Sequence, residues 1–472
     1  MKKLLFAFFT LCFANLSFGQ TLLTSIDLDL KKASSNHRAL NAVNANNKEV
    51  FVFASDKEKL TAIKYSSFIF FKDSLSINRP DKDFEQISGY SFNTEGTPEI
   101  YWTTSDFKKI KAISFDLKNR KTSENLFDLP FEKELILSSF SENNSFYIMT
   151  VSKTEEELKL YVLQDGKIKE KFIDFSEYKI NNIKNNPLKL WSLFEENPLE
   201  KIAIDELNSL VYATSKAKFY VLSDKLIFTF DHNVSETQIF ELNLKTYKVE
   251  EKKIIQEALK TGTGNSNSYL NDGKLYQLKV NENELLLAVK NYDSGELINT
   301  FTTSKEEAIA YKNSPLLSQT GKQRQKEFKN TKKFLERLEE SNIGLSVYKT
   351  PYNSFITIGG LRDVASTGGI LLGIASGVGS VASGGSTVFM DDFLYDGSLQ
   401  VNYFETHLDL KSQYLKKEQE ILATDYIAQF LEQKKDISLA STFKFKNYYI
   451  LGYYDAKEKK YVLRKFQDDF ID

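Results

Sequence analysis

Cysteine and histidine are almost missing from this chain of 472 residues. The one cysteine, Cys12, lies in the first 19 residues, which we expect to be removed, and a mature chain without cysteine has no disulfide, thiolate metal ligand or cysteine nucleophile. His37, His232 and His407 are the only histidines, and their positions suggest no base or ligand. No zinc-type cluster, Gly-x-Ser-x-Gly elbow or phosphate loop occurs. The sequence therefore predicts no catalytic residue, no cofactor and no metal site.

An excess of charge of one sign is also missing, because 62 Lys and Arg nearly balance 64 Asp and Glu. Such a chain has no overall field that would recruit nucleic acid, so we expect no nucleic-acid partner. Proline (7) and methionine (3) are scarce, whereas Phe (37) and Tyr (24) are abundant. Aromatic residues favour strands, and this composition predicts a β-rich fold with a large apolar core.

Residues 1–19 have the pattern of a secretory signal peptide. Lys2 and Lys3 precede an apolar run from Leu4 to Leu16, and small residues follow before Gln20. The run is too short for a membrane span, and the Leu before Cys12 departs from the lipoprotein pattern. We therefore expect export to the periplasm or the cell surface, without lipid attachment.

One hairpin pattern returns along the chain. Glu49 to Tyr65 and Glu99 to Phe115 align without a gap, each with an apolar strand, a polar turn and a second alternating strand. Five further copies are Phe146 to Val162, Leu226 to Leu244, Lys274 to Lys290, Leu345 to Leu410 and Ile437 to Phe466. Of all seven copies, the sixth, Leu345 to Leu410, is the most diverged.

These repeats resemble a β-propeller, which implies an all-β domain over residues 20–472 with about seven four-stranded blades. Six blades are an alternative, and so are tandem β-sandwich domains, which would not need gapless copies. The last copy lacks an outer strand, and we predict that Leu22 to Leu30 supplies it and closes the ring. The repeats have neither the WD dipeptide of WD40 proteins nor the double glycine of kelch repeats, so the resemblance transfers no functional residue.

Four insertions interrupt the repeats, at residues 176–207, 303–341, 359–388 and 411–435. With strands A to D running outwards, loops from B to C and from D to the next A share one face. We assign three insertions to D–A connections and residues 359–388 to a B–C connection, so all four should lie on that face. Loops on a regular scaffold often carry function, so this face is the candidate binding surface. Trp191, in the insertion at 176–207, is a candidate contact residue on it. Tolerated variation in loop length is the alternative.

Two helices are predicted within the insertions. Lys322 to Leu338 is basic, and Lys332 and Lys333 make it a candidate contact for anionic lipid or polysaccharide. The alternative is an ordinary helix whose charged side faces solvent. A second helix near Leu415 to Lys434 is explained by core packing.

Residues 364–390 contain no charged residue, and Gly369, Gly373 and Gly377 recur every four positions. Phe389 lies near the end of this stretch. It is either a loop that a partner orders or an element that contacts a membrane or another helix. Glycine disfavours a helix, and the apolar part is shorter than a bilayer span requires.

The sequence thus favours a non-enzymatic binding or scaffold protein of a bacterial cell envelope that contacts a protein or glycan through the insertion-bearing face. The alternative is a carbohydrate-active hydrolase or lyase with an acidic site at the propeller mouth. Propeller enzymes assemble such sites from dispersed residues, which no local motif reveals.

Overall fold

A computed structural model describes residues 20–31, 37–129, 131–182, 186–320, 323–363, 399–418 and 420–469. Most of these residues lie in short β-strands. The strands of the first half are β1 Gln20–Asp27, β2 Arg38–Val43, β3 Val50–Ser55, β4 Lys59–Tyr65, β5 Phe71–Asn78, β6 Gln86–Phe92, β7 Pro98–Thr103, β8 Lys109–Asp116, β9 Lys121–Asp128, β10 Glu134–Glu142, β11 Ser145–Ser152, β12 Glu157–Gln164, β13 Lys167–Asp174, β14 Leu199–Ile202, β15 Ala217–Leu222 and β16 Lys225–Phe230.

The second half continues the pattern and adds helices between strands. Its strands are β17 Glu236–Asn243, β18 Val249–Ile255, β19 Asn265–Asn271, β20 Lys274–Val280, β21 Glu284–Asn291, β22 Leu297–Ser304, β23 Leu317–Thr320, β24 Lys326–Glu327, β25 Asn342–Lys349, β26 Asn353–Asp363, β27 Leu399–Asp409, β28 Ile437–Phe445, β29 Tyr448–Asp455 and β30 Lys460–Phe466. The α-helices of the described residues are α1 Leu190–Glu196, α2 Leu210–Ala213, α3 Thr331–Glu339 and α4 Ala423–Gln433.

The described strands form seven sheets, which we number as blades in chain order. Blades 1, 2, 3 and 5 are β2–β5, β6–β9, β10–β13 and β19–β22, and blade 4 is β15–β18 with β14 added beside β15. Blade 6 has the order β25, β26, β27, β23, β24, and blade 7 has the order β28, β29, β30, β1. The first strand of each blade lies innermost, except in blade 4, where β14 lies inside β15; for example, β2 contacts both β28 and β6. This arrangement is a seven-bladed β-propeller, as predicted, rather than six blades or tandem sandwiches.

Side chains between neighbouring blades form the core. Each middle strand is covered on both sides, and for this reason β3 is a continuous apolar run that is buried throughout. Aromatic pairs join successive blades: ring centroids lie 5.3 Å apart for Phe53 and Phe115, and 4.8 Å apart for Tyr101 and Phe146. Such contacts add to the free energy gained from burying the rings.

The two ends of the described chain close the ring. β1 pairs antiparallel with β30, from Gln20 opposite Phe466 to Asp27 opposite Lys460. Leu28 and Leu30 follow in the chain and are buried between blades 7 and 1. The prediction that the N-terminal strand supplies the missing outer strand of the last repeat is confirmed.

Blade 6 is also completed by a strand from outside its own repeat, and here the strand comes directly before the repeat in the chain. Its fourth strand, β23, comes from upstream of its first strand and pairs antiparallel with β27. Part of the insertion at 303–341 therefore completes a blade. The helix in this insertion begins at Thr331, later than the predicted Lys322, because the Asn330 side chain caps it by accepting a hydrogen bond from the Lys333 amide.

Because β23 is the fourth strand of blade 6, the prediction that residues 411–435 form a D–A connection is wrong. The chain leaves blade 6 from its third strand, β27, so this segment is not a D–A connection and starts on the opposite face. It returns along blade 7, where α4 packs through Phe430, whose ring centroid lies 5.4 Å from that of Tyr453. The prediction that core packing explains this helix is confirmed, although the helix is shorter than predicted.

Ring closure can be tested with two leucines of the N-terminal segment. Leu28 is 8% exposed and Leu22 is 53% exposed. We expect Leu28→Ala to lower the free energy of unfolding by about 2–4 kcal/mol, because it leaves a cavity between blades 7 and 1. Leu22→Ala should change it by less than about 0.5 kcal/mol. Urea denaturation measures both, and equal effects would contradict a buried closure.

Candidate functional site

The strand order defines two faces of the ring. The BC–DA face carries the loops from second to third strands and from fourth strands to the next blade, and the AB–CD face carries the other loops. Gly369, Gly373, Gly377 and Phe389 come between β26 and β27 in the sequence and lie outside the described residues. Their proposed role in binding stays a prediction.

Trp191 lies on α1 and is only partly exposed. Its ring packs against the apolar cluster of blades 3 and 4. The indole nitrogen is buried and has no hydrogen-bond partner among the described residues. The side chain thus anchors the insertion to the blades, and its role in binding remains untested.

Lys332 and Lys333 are exposed on α3. The other side of this helix is apolar, with Phe334, Leu335 and Leu338 buried. Lys333 forms an ion pair with Glu336, with 2.7 Å between Nζ and Oε2, whereas Lys332 forms no ion pair with any of the described residues. The helix therefore presents cations to solvent, and their contact with an anionic partner stays a prediction.

The middle of the ring holds a piece of the chain itself. β14 runs parallel to β15, so residues 203–216, the central segment, must return from one face towards the other before β15 begins. Tyr449 of blade 7 accepts a hydrogen bond from the Leu207 amide at 3.2 Å. Ser346 of blade 6 donates to the Asn208 carbonyl at 2.7 Å.

Blade 5 bonds to both ends of the central segment. Asn271 donates to the Ile204 carbonyl at 3.0 Å, and Asn267 donates to the Thr214 carbonyl at 2.9 Å. A segment bonded to the inner strands of blades 5 and 6 and to the second strand of blade 7, and continuous with blade 4, must lie near the axis. The second half of the insertion at 176–207 thus enters the ring, and the prediction that it lies wholly on the BC–DA face is wrong.

A buried ion pair lies beside the central segment. Lys218 Nζ lies 3.8 Å from Asp231 Oδ2 and donates to Asn267 Oδ1 at 2.6 Å. Asp231 also accepts hydrogen bonds from Ser268 and Thr237. Burial lowers the pKa of Lys218 to about 8, against the opposing effect of Asp231. Because both side chains are fully buried, we assign this pair to the joint between blades 4 and 5 rather than to chemistry on a substrate.

A polar pocket opens on the AB–CD face between blades 2 and 3. Its volume is about 120 Å³, which is room for several water molecules. The turns and strand ends of two neighbouring blades build it. The lining residues are Asn93, Thr97, Glu99, Ser114, Ser123, Asn125, Asp165 and Gly166.

Glu99 is the most buried charged group of this pocket, with 4% of the residue exposed. Its Oε2 accepts hydrogen bonds from the Tyr101 hydroxyl at 2.7 Å, the Gly166 amide at 3.1 Å and the Ser91 hydroxyl at 3.5 Å. Burial, and then the charge of Glu99, raise the pKa of Tyr101 well above its usual value. Tyr101 thus remains a hydrogen-bond donor to Glu99.

Gly166 allows the turn of blade 3 to reach this carboxylate. Its φ of +65° lies in the left-handed region, and a Cβ here would lie 2.7 Å from Asn125 Nδ2. Sequence analysis missed this site, although Glu99 begins one of the repeats. The two residues lie in different blades, and no local pattern brings them together.

A second feature of the AB–CD face is apolar. At the outer turn of blade 1, Phe68, Phe70 and Phe71 are 74%, 69% and 46% exposed. Lys446 of blade 7 lies over Phe68, with Nζ 5.1 Å from the ring centroid. This aromatic cluster and the polar pocket both lie on the face opposite to the predicted binding surface.

Among the described helices, none has the length and apolar character needed to cross a membrane. The possible membrane contact through residues 364–390 falls outside the described chain and stays a prediction.

No protein-family model matches this chain, and no curated protein matches it. Solved structures with similarity include a catalytically inactive virginiamycin B lyase from Staphylococcus aureus with quinupristin (13% identity, 72% of this chain, 96% of that chain, TM-score 0.28). A second is the Cps50 (Swd1) β-propeller domain of Myceliophteria thermophila (8% identity, 95% of this chain, 100% of that chain, TM-score 0.29). A third is Kluyveromyces lactis Hsv2 (8% identity, 69% of this chain, 94% of that chain, TM-score 0.27). TM-scores this low support no argument, so the assignment to the β-propeller class rests on the sheet order of the chain itself.

The buried pair gives a prediction for pH dependence. The pKa of Lys218 is about 8 when folded and near 10.5 when unfolded. Between these values the unfolded state holds the extra proton, so this group makes the free energy of unfolding rise with pH, by up to about 1.4 kcal/mol per pH unit. We expect urea denaturation from pH 8 to 9.5 to show this rise in the wild type relative to Lys218→Met. The exposed control Lys248→Met should follow the wild type, and parallel profiles for all three would contradict the shift.

Proposed function

We propose that this protein is a non-enzymatic binding protein of a bacterial cell envelope, which uses the propeller as a rigid scaffold and contacts a protein or glycan through its outer faces. The observation that carries the proposal is the central segment. Side chains from all blades converge at the axis of a propeller, and there the chain itself occupies the space through bonds to Tyr449, Ser346 and Asn267. Binding is therefore left to the faces.

The described residues contain no group of three His, Cys, Asp or Glu placed to share a metal ion. The alternative of a carbohydrate-active enzyme is supported by Glu99 and Asp165, which line one pocket. Glycoside cleavage uses such pairs, but one member must deliver a proton. The Tyr101 hydroxyl and the Gly166 amide already donate to Oε2 of Glu99, so this oxygen is engaged within the protein.

Within this proposal, the partner contacts the BC–DA face through residues 364–398 and the exposed lysines of α3. Asp363 and Leu399 are paired across β26 and β27, so the chain leaves blade 6 and returns to it at one point. Residues 364–390 carry no charge, and Lys332 is exposed on α3, so the proposed contact combines an apolar and a cationic part.

This arrangement allows a clean replacement. We expect a variant with an Asn-Gly turn in place of residues 364–398 to keep its melting temperature within about 3 °C, because that turn closes hairpins well. Cross-linking on intact cells should yield a specific adduct with the wild-type chain and lose it with the variant. The double variant Phe68→Ser, Phe70→Ser, altered on the other face, is the matched control and should keep the adduct. An unchanged adduct in the turn variant would exclude this segment as the contact.

Export is proposed from the pattern of residues 1–19 alone. We expect cell fractionation to place the protein in the periplasm or on the surface, with Gln20 as the first residue of the purified chain. N-terminal sequencing measures this. Replacement of Leu11 by Arg should interrupt the apolar run and retain the protein in the cytoplasm. An uncleaved wild-type chain in the cytoplasm would contradict the proposal.

A further inference from the structure

We infer that the polar pocket on the AB–CD face binds a cation with N–H donors, namely the ammonium or guanidinium group of a small amine or of a basic side chain. The inference starts from the carboxylate of Glu99, which lines the pocket although the residue is only 4% exposed. It does not depend on the proposed role of the BC–DA face.

The two oxygens of Glu99 differ in their surroundings. Oε2 takes the hydrogen bonds from Tyr101, Gly166 and Ser91. Oε1 accepts none among the described residues and lies 4.0 Å from the position of a Cβ at Gly166, another residue that lines the pocket. Glu99 thus offers a buried acceptor to whatever enters.

The negative charge of the pocket is not balanced by its own lining. Asp165 adds a second carboxylate, and the other lining residues are neutral Ser, Thr, Asn and Gly. Among the described residues, no salt bridge reaches Glu99. The pocket has room for a ligand beside Oε1, and a cation bound there would form a charge-assisted hydrogen bond with the carboxylate.

The neutral lining favours an organic cation. Hydroxyl and amide oxygens of Thr97, Ser114 and Asn125 are acceptors for the several N–H groups of an ammonium or guanidinium ion. Two carboxylates are fewer than calcium usually takes, and the described residues contain no cluster of three such ligands. No aromatic ring lines the pocket for a sugar to stack on. Anions are repelled by the two carboxylates.

Calorimetric titration of the full-length mature protein tests the inference. The probes are N-acetyl-lysine methylamide and agmatine, with glucose, calcium chloride and sodium acetate as competing chemistries. We expect saturable binding of at least one of the two cations, weakened by higher salt. Binding of calcium or glucose with no response to either organic cation would overturn the inference, and so would no binding at all.

Two variants separate charge from space. Glu99→Gln keeps an acceptor for Tyr101 and Gly166 but removes the charge, and Ser114→Leu fills the pocket while keeping the charge. Each should weaken binding about tenfold or more, because a charge-assisted hydrogen bond is lost or blocked. Asp128→Asn, an exposed carboxylate at the other end of blade 2, should stay within about twofold.

The remaining outcomes are also decisive. If Glu99→Gln has a clearly lower melting temperature than the wild type, the test rests on Ser114→Leu. A folded Ser114→Leu protein that binds the cation with wild-type affinity would overturn the inference. Equal weakening by Asp128→Asn would show an unspecific charge effect and would also overturn it. The variant with a turn in place of residues 364–398 should bind the cation as the wild type does, so failure of the proposed function leaves this result unaffected.

Discussion

The pairing of β1 with β30 is the contact on which the rest of the structure depends. A row of sheets leaves an unpaired edge and two uncovered apolar faces at its ends, and only a closed ring covers both. Closure brings blade 7 against blade 1 and fixes where the inner strands meet. The central segment then finds partners on blades 5, 6 and 7 together, as the bonds from Asn271, Ser346 and Tyr449 show.

The segments that interrupt the repeat are largely structural. β23 completes blade 6, α4 covers blade 7, and the central segment occupies the axis. Each forms hydrogen bonds with backbone groups or covers apolar side chains that the blades alone would leave exposed. These contacts add stability to a chain that has no disulfide. Length variation on a repeat scaffold therefore does not by itself mark a binding surface, and the region that can carry function is smaller than the insertions suggested.

The polar pocket shows how neighbouring blades make a site that neither blade contains. Blade 2 supplies Glu99 and its donor Tyr101, while blade 3 supplies the Gly166 amide. The left-handed conformation of Gly166 brings the turn close enough to bond, and burial keeps Tyr101 protonated. The aromatic cluster at Phe68 lies on the same face, so this side of the ring combines an acidic pocket with an exposed apolar turn.

The sequence by itself determined the hairpins, because alternation of apolar residues and turn chemistry are local properties. The structure decided between the seven and the six blades that the sequence left open. The sequence also predicted how the ring closes, because the last repeat lacks one strand and a strand without a partner occurs at the start of the mature chain. Only the tertiary structure decided that Leu317–Thr320 serves as an outer strand, because four residues of mixed polarity have no period to detect. It alone joined Glu99 to Gly166, which are 67 residues apart, because contacts between blades depend on how the sheets pack and not on the order of residues within either.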